Sequence, residues 1–220
     1  MDRWATFDCY GTLIDWNGGV GRELERLFGA ANAPRLLHRY HEIEREVQRE
    51  EPERTYRDVL NVTLARLAAG EDLALPDAEG DAFSRSLPAW EPFPEVRESL
   101  EDARTRGWRL AILSNTDRDY IEASMERIGV PFELAIVASE IGSYKPGPRH
   151  WEVFFDRTGA DRAGHVHVGA SLFHDIAPAR ELGLRTIWVN RLGEEPEPPP
   201  DVELHSLTGL GGSLDGLVSG

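Results

Sequence analysis

Residues 7–15 read Phe-Asp-Cys-Tyr-Gly-Thr-Leu-Ile-Asp and mark the end of the first predicted strand. The apolar run Trp4–Phe7 predicts that strand, which leaves Asp8 at its carboxyl end. Gly11 and Thr12 then permit a tight turn whose backbone N–H groups face a crevice. A carboxylate at such a position is either catalytic or a cap for the next helix, and this stretch alone leaves both interpretations open.

Four more runs of β-branched and aromatic residues predict strands, at Arg109–Leu113, Leu134–Ala138, His165–Gly169 and Arg185–Asn190. Helical patterns lie between them, over Tyr120–Ile128, His150–Thr158 and Ile176–Leu182. Alternating strands and helices predict an α/β fold with a doubly wound parallel sheet, a Rossmann-like core. The carboxyl ends of the strands then meet at one edge, where sheets of this kind bind their ligands.

The stretch between the first two strands is far longer than a crossover needs, and it is helical in pattern almost throughout. We therefore assign residues 16–90 to an inserted helical-bundle cap, and residues 1–15 and 91–220 to the α/β core. An insertion after a strand end hangs over the crevice, so we expect a lid. The alternative is an elaborated crossover without a function.

Composition excludes several classes of protein. The 220 residues carry 24 Lys+Arg against 39 Asp+Glu, a formal net charge of −15. This excess argues against a nucleic acid or an anionic membrane as partner, although a few positive groups in a cleft can still bind one anion. With the single cysteine Cys9 no intramolecular disulfide can form. Without a secretory signal or a long apolar run, we expect a cytoplasmic protein.

Polar side chains also follow the later strands. Ser114 and Asn115 end the second strand, and the residues after them suffice to cap the next helix. Lys145 stands between a tyrosine and a proline in the third loop, although a lysine is by default a solvated surface residue. Asp175 follows the fourth strand, either as a second functional carboxylate or as a helix cap.

Taken together, these loops resemble those of the haloacid dehalogenase superfamily in order and spacing. The matching stretches are 7–15 (FDCYGTLID), 113–116 (LSNT), 144–146 (YKP) and 167–175 (HVGASLFHD). The resemblance covers nearly the whole chain. It implies a hydrolase with an aspartate nucleophile.

Two positions decide between branches of that superfamily. Its phosphatases use an aspartate at the position of Tyr10 to protonate the leaving alcohol, and another at the position of Ala170 to bind Mg²⁺. A phenol, with a pKa of about 10, replaces the first poorly, and a methyl group cannot bind a hard cation. A halide leaves without a proton and a 2-haloacid carries only one carboxylate, so both losses suit the L-2-haloacid dehalogenase branch.

The resemblance implies a division of labour among five catalytic residues. Asp8 would displace the halide and form an ester, and Asp175 would orient or deprotonate the water that hydrolyses it. Lys145 would keep Asp8 ionised, while Thr12 and Ser114 would position carboxylate oxygens. A phosphatase that has replaced its acid and its metal ligand is the alternative. A non-catalytic binding module is less consistent with the retained Asp8, Lys145 and Asp175.

The resemblance also implies contacts to substrate or halide from Tyr10, Arg39, Asn115, Trp151 and His174. Trp151 and His174 stand where the family often has tyrosine and tryptophan, so we expect retained chemistry with a shifted range of substrates. The implied ligand is a small 2-haloacid, with no metal and no cofactor. The family further implies a homodimer formed through the cap.

Overall fold

The computed structural model describes residues 2–51 and 54–218. Six strands form its central sheet: β1 (Arg3–Phe7), β2 (Trp108–Ser114), β3 (Leu134–Val137), β4 (His165–Gly169), β5 (Arg185–Val189) and β6 (Val202–Leu204). They are ordered β3-β2-β1-β4-β5-β6 and all neighbouring pairs are parallel. The predicted parallel α/β sheet is confirmed. The sequence did not reveal β6, which is too short to show an alternating pattern.

Helices lie between the strands. Four of them form the insertion that follows β1 in the chain: α1 (Trp16–Phe28), α2 (Ala33–Glu50), α3 (Tyr56–Gly70) and α4 (Ala82–Ser86). The others are α5 (Val96–Thr105), α6 (Arg118–Ile128), α7 (Ala138–Ile141), α8 (Arg149–Thr158), α9 (Ala177–Glu181) and α10 (Leu210–Val218). Before α9 the chain makes a π-helical turn over Leu172–Ile176, which delays the predicted helix start. Within the described residues, no helix has the length and apolarity to cross a bilayer.

The sheet is covered on both faces because successive side chains of a strand point to opposite sides. In β1, Ala5 and Phe7 join the larger apolar cluster, which also takes in the inserted helices. Trp4 points the other way into a second cluster with Trp151 and Phe154 of α8. Burial on both faces leaves the strand ends as the place where polar groups can meet.

The chain leaves the core and returns to it at adjacent points. The Asp15 amide donates to the Glu91 carbonyl at 2.9 Å, and the Phe93 amide donates to the Leu13 carbonyl at 3.0 Å. The insertion is also tied to the core by Asp117. Its carboxylate accepts the first amides of α3, Tyr56 N at 3.1 Å and Arg57 N at 2.9 Å. The sequence suggested a cap for the following helix here, whereas Asp117 caps a helix of the insertion.

Candidate active site

Asp8 is placed by a turn that only glycine allows. Its amide donates to the Val168 carbonyl of β4 at 2.9 Å, which fixes the residue at the strand end. Gly11 has a φ of +90°, a conformation that L side chains rarely adopt. The Leu13 amide then closes the loop on the Cys9 carbonyl at 2.8 Å. Asp8 is left 9% exposed at the mouth of the crevice.

Lys145 joins the two predicted carboxylates. Its Nζ donates to Asp8 Oδ1 at 2.9 Å and to Asp175 Oδ1 at 2.6 Å. The third donor goes to the Leu113 carbonyl at 2.8 Å, so every N–H bond of the ammonium is used. The Lys145 side chain is 1% exposed. This is a buried ion cluster of two carboxylates and one cation, not a surface lysine.

The three groups of this cluster differ in how their pKa values are shifted. Burial raises the pKa of Asp8 above its usual value, since the attraction of Lys145 is offset in part by the nearby Asp175. Burial also opposes ionisation of Asp175, but Lys145 and His167 outweigh it and lower the pKa of that carboxyl. Burial disfavours the charged form of Lys145, yet the two carboxylates raise its pKa. Asp175 is therefore the firmly ionised member, and Asp8 is the one whose charge is easily changed.

Thr12 and Gly169 fix the two carboxylates. Thr12 Oγ1 donates to Asp8 Oδ2 at 2.8 Å and accepts from the Ala170 amide at 2.9 Å, so its hydroxyl can point only one way. A Cβ at Gly169 would lie 2.5 Å from Asp175 Cβ, so glycine makes room for this carboxylate. The Ser171 amide contacts Asp175 Oδ2 at 3.3 Å. Ser171, not Asp175, caps the π-turn by accepting from His174 N.

Behind Asp175 runs a buried chain of hydrogen bonds. His167 Nε2 lies 3.4 Å from Asp175 Oδ1, and Thr6 Oγ1 lies 2.9 Å from both His167 Nδ1 and His165 Nε2. An ionised Asp175 accepts only, so His167 carries its proton on Nε2 and accepts from the Thr6 hydroxyl at Nδ1. His165 then donates to Thr6. The two histidines thus support the carboxylate of Asp175 through a chain of hydrogen bonds.

Ser114, Asn115 and Tyr10 all line the cleft. Asn115 exchanges two hydrogen bonds with the backbone of Lys145, at 2.9 and 2.6 Å, and so holds the loop that carries the lysine. The Tyr10 hydroxyl is 3.0 Å from Ser124 Oγ, and its ring stacks on Tyr56 with 6.1 Å between centroids. The phenol is therefore engaged with α6, away from the carboxylates.

One cleft of about 610 Å³ joins the strand ends to the insertion. Its core side includes Asp8, Lys145 and Asp175. The residues of α2 that line it are His38, His41, Glu44, Arg45 and Gln48. The expected lid position is thus occupied by α2, and we retain 16–90 as the proposed limits of the cap.

The structure does not bring Arg39 or Trp151 to this cleft. Arg39 Nη1 pairs with Glu42 Oε2 at 2.5 Å, on a side chain that is 43% exposed. Trp151 is buried in the second apolar cluster, 5.1 Å edge-on from the His167 ring. Both positions follow from helix phase, which turns each side chain away from the crevice. Arg39 is a surface ion-pair residue and Trp151 a wall behind His167.

His174 does line the cleft, as expected, but as a neutral group. Its Nδ1 lies 3.1 Å from Ser171 Oγ. Burial lowers its pKa to about 4, with Lys145 and Arg45 acting in the same direction. At neutral pH it therefore offers an uncharged imidazole to a ligand.

Sequence reasoning missed Arg45 and Glu44. Arg45 lines the cleft and forms no salt bridge within the part of the chain described here; its Nε donates to the His41 carbonyl at 3.2 Å. The signal was present in the spacing His41, Glu44, Arg45, Gln48, which puts four polar groups on neighbouring turns of one helix. Glu44 also interrupts the apolar stripe of α2, where a charge is unusual.

Mg²⁺, which the superfamily's phosphatases use, does not fit these residues. The ammonium of Lys145 already bridges the two carboxylates that a cation would need. Ala170 supplies a methyl group where a third oxygen would be required. Across residues 2–51 and 54–218, no three His, Cys, Asp or Glu side chains are grouped to hold a metal ion.

The sheet, the insertion and the strand-end cluster define a hydrolase-type α/β protein, and comparison gives its family. A model of the family described as haloacid dehalogenase-like hydrolase matches residues 3–183. The chain therefore belongs to the haloacid dehalogenase-like hydrolases. The predicted superfamily is confirmed.

Individual relatives are similar over most of their length. An (S)-2-haloacid dehalogenase of Pseudomonas sp. (strain YL) is 32% identical over 212 residues, which are 91% of this chain and 89% of that protein. A phosphoserine phosphatase of Thermus thermophilus is 30% identical, over 70% of this chain and 61% of its own. The structure of L-2-haloacid dehalogenase from Xanthobacter autotrophicus shares the fold, with a TM-score of 0.85 at 19% identity over 98% and 99% of the two chains.

Proposed function

We propose that this protein hydrolyses short 2-haloalkanoic acids to 2-hydroxy acids, without a metal, through an ester of Asp8. One observation carries the proposal. Lys145 bridges Asp8 and Asp175 at 2.9 and 2.6 Å, so a nucleophile and a base share one buried cation. Such a site suits a substrate whose leaving group departs as an anion without a proton.

In the first step an oxygen of Asp8 attacks C2 of the haloacid from the side opposite the halogen. The C–O bond forms as the C–halogen bond breaks, and the halide leaves with the electron pair, so C2 is inverted. The hydrogen bonds from Lys145 and Thr12 hold the carboxylate in one orientation for this attack. Arg45 lines the cleft and forms no salt bridge with any described residue, so it attracts the anionic substrate and the released halide.

In the second step water attacks the carbonyl carbon of the Asp8 ester. Asp175 takes a proton from that water, and Lys145 stabilises the negative charge that develops on the carbonyl oxygen. The ester C–O bond then breaks and the 2-hydroxy acid leaves with a proton. Asp8 is regenerated as a carboxylate that contains one oxygen from water. The hydrogen bond from His167 keeps Asp175 ionised and oriented for this step.

Because the chain is also similar to a phosphoserine phosphatase, phosphoester hydrolysis is the alternative reaction. That reaction needs an acid for the leaving alcohol and a cation for the phosphoryl group. Tyr10 is bonded to Ser124, and Ala170 has no oxygen on its side chain. The residues therefore favour the haloacid.

Halide release from chloroacetate and L-2-chloropropionate in EDTA tests the proposal, with Asp8→Asn as the matched variant. Release that survives EDTA and falls about 10⁴-fold in the variant is expected. If no halide appears and an aryl phosphate is hydrolysed only with Mg²⁺, the phosphatase alternative is correct. The same assay ranks the substrates. Faster turnover of chloroacetate than of the bulkier acid is expected from the altered cleft wall at His174.

A further inference from the structure

Glu44 is a buried carboxyl in the cleft that the proposed reaction does not use. It lies on α2 among the apolar stripe of the insertion and is 5% exposed. It lines the same cleft as Asp8, from the opposite side. Burying an ionised carboxyl without a cation costs free energy, which favours the protonated form.

Both hydrogen bonds that Glu44 accepts from the protein end on the same oxygen. Tyr56 Oη donates to Glu44 Oε1 at 3.0 Å, and Gln48 Nε2 donates to the same oxygen at 3.2 Å. Within the described residues, Oε2 receives no hydrogen bond. In a carboxylic acid, the carbonyl oxygen accepts and the other oxygen carries the proton. This arrangement leaves an O–H donor beside the cleft with no protein acceptor.

Burial, and not the surrounding charges, favours the neutral state of Glu44. Burial raises the pKa of Glu44 to about 7, against the hydrogen bond from Tyr56 and the charge of Arg45. Burial also raises the pKa of the neighbouring phenols of Tyr40, Tyr56 and Tyr144. These phenols therefore stay neutral up to and beyond pH 9.

The two buried imidazoles at the cleft do not titrate in that range either. Burial lowers the pKa of both His41 and His174 to about 4. On the core side, Lys145 stays charged and Asp175 stays ionised, while Asp8 gains its charge as the pH rises. Glu44 is then a buried group on the cap side whose charge changes between pH 6 and 9.

We propose that protonated Glu44 recognises the substrate by donating a hydrogen bond from Oε2 to the anionic haloacid. This inference rests on the proposed function and adds a specificity-determining residue to it. Once ionised, Glu44 offers only acceptors to an anion and repels it. The cleft therefore selects a monoanion over a dianion such as a phosphate monoester, and it binds best while Glu44 keeps its proton.

The pH dependence of KM for chloroacetate tests this role. In the wild type, KM rises about tenfold for each pH unit above 7, because only the protonated form binds. Glu44→Gln keeps a neutral donor, so its KM stays flat from pH 7 to 9, where Asp8 is already ionised. Glu44→Leu removes the donor, so its KM is flat but raised. Glu42→Gln, on the exposed side of the same helix, is the matched control and follows the wild type.

A flat KM in the wild type, or a Glu44→Gln enzyme that keeps the rise, overturns the proposal. Binding of acetate, measured by calorimetry in buffers of different ionisation enthalpy, tests it without turnover. At pH 8 the wild type is expected to take up close to one proton per acetate bound, and Glu44→Gln none. Equal uptake in both proteins, or no acetate binding at pH 6, contradicts the role of Glu44. Absence of halide release with normal proton uptake contradicts only the proposed reaction.

Discussion

The two sides of the cleft differ in how fully their polar groups are paired within the protein. On the core side, Asp8, Lys145 and Asp175 satisfy one another at 2.6 and 2.9 Å, and Thr12 and His167 fix the carboxylates from behind. On the cap side, α2 offers groups with few protein partners. Among residues 2–51 and 54–218, no carboxylate lies within salt-bridge distance of Arg45. The core side is preorganised for chemistry, whereas the cap side is left open for a ligand.

Removal of Lys145 tests the core side and has the largest expected effect. Lys145→Met leaves two buried carboxylates without their cation, so the free energy of unfolding falls by about 3–5 kcal/mol and turnover is lost. Urea denaturation at pH 7 measures the first quantity. The double variant Lys145→Met with Asp175→Asn is the control and regains part of the stability. Equal stability of wild type and Lys145→Met would contradict the buried cluster.

Glu44→Gln tests the cap side through the pH dependence of stability. The pKa of Glu44 in the folded protein is about 7, against an ordinary value of 4.5. Since the folded pKa is raised, this carboxyl lowers stability as the pH rises from 4.5 to 7, by about 3 kcal/mol in total. Thermal unfolding should show Glu44→Gln more stable than the wild type at pH 8 but not at pH 4.5. An equal difference in stability between the two proteins at pH 8 and at pH 4.5 would mean that the pKa of Glu44 is not raised.

Arg45 and Arg39 form a matched pair on α2, six residues apart. Arg45→Gln removes the unpaired cation at the cleft, so KM for chloroacetate is expected to rise about 10- to 100-fold. Arg39→Gln breaks only a surface ion pair, which contributes little in solvent, and leaves KM within about twofold. Steady-state kinetics in low salt compares the two. The reverse order of effects would show that α2 presents its other face to the substrate.

Tyr10→Phe has the smallest expected effect. It removes the hydrogen bond to Ser124 and costs about 1 kcal/mol of stability. Turnover should stay within about threefold, because the phenol does not act as an acid. A loss of about 100-fold or more in kcat, with KM unchanged, would assign general acid catalysis to Tyr10 and revive the phosphatase alternative.

The contrast between the two sides of the cleft also explains which residues of the site could be predicted from the sequence. Lys145 follows α7 instead of a strand end and was assigned to the site through the family resemblance. Parallel strands place their carboxyl ends at one edge, so the order of the elements brings Asp8, Ser114 and Asp175 together. Topology fixes these positions whatever the details of packing.

The cap side depends on helix phase, which packing decides. Arg39 and Arg45 are both plausible from the sequence of α2, and only the burial of its apolar stripe turns Arg45 toward the cleft. Trp151 was expected at the substrate because of its place in the family pattern, yet α8 buries it against the sheet. The role of Asp117 was hidden for a similar reason, since its partner, the start of α3, is 60 residues away in the chain.

The origin of the product's hydroxyl oxygen tests the central claim most directly. A single turnover of chloroacetate by excess enzyme in H₂¹⁸O should leave ¹⁸O in the peptide that contains Asp8, while the glycolate carries none. This follows because water attacks the carbonyl carbon of the Asp8 ester, and the original carboxylate oxygen leaves with the product. Label in the glycolate and none in Asp8 would mean that water attacks C2 directly, and would contradict Asp8 as the nucleophile.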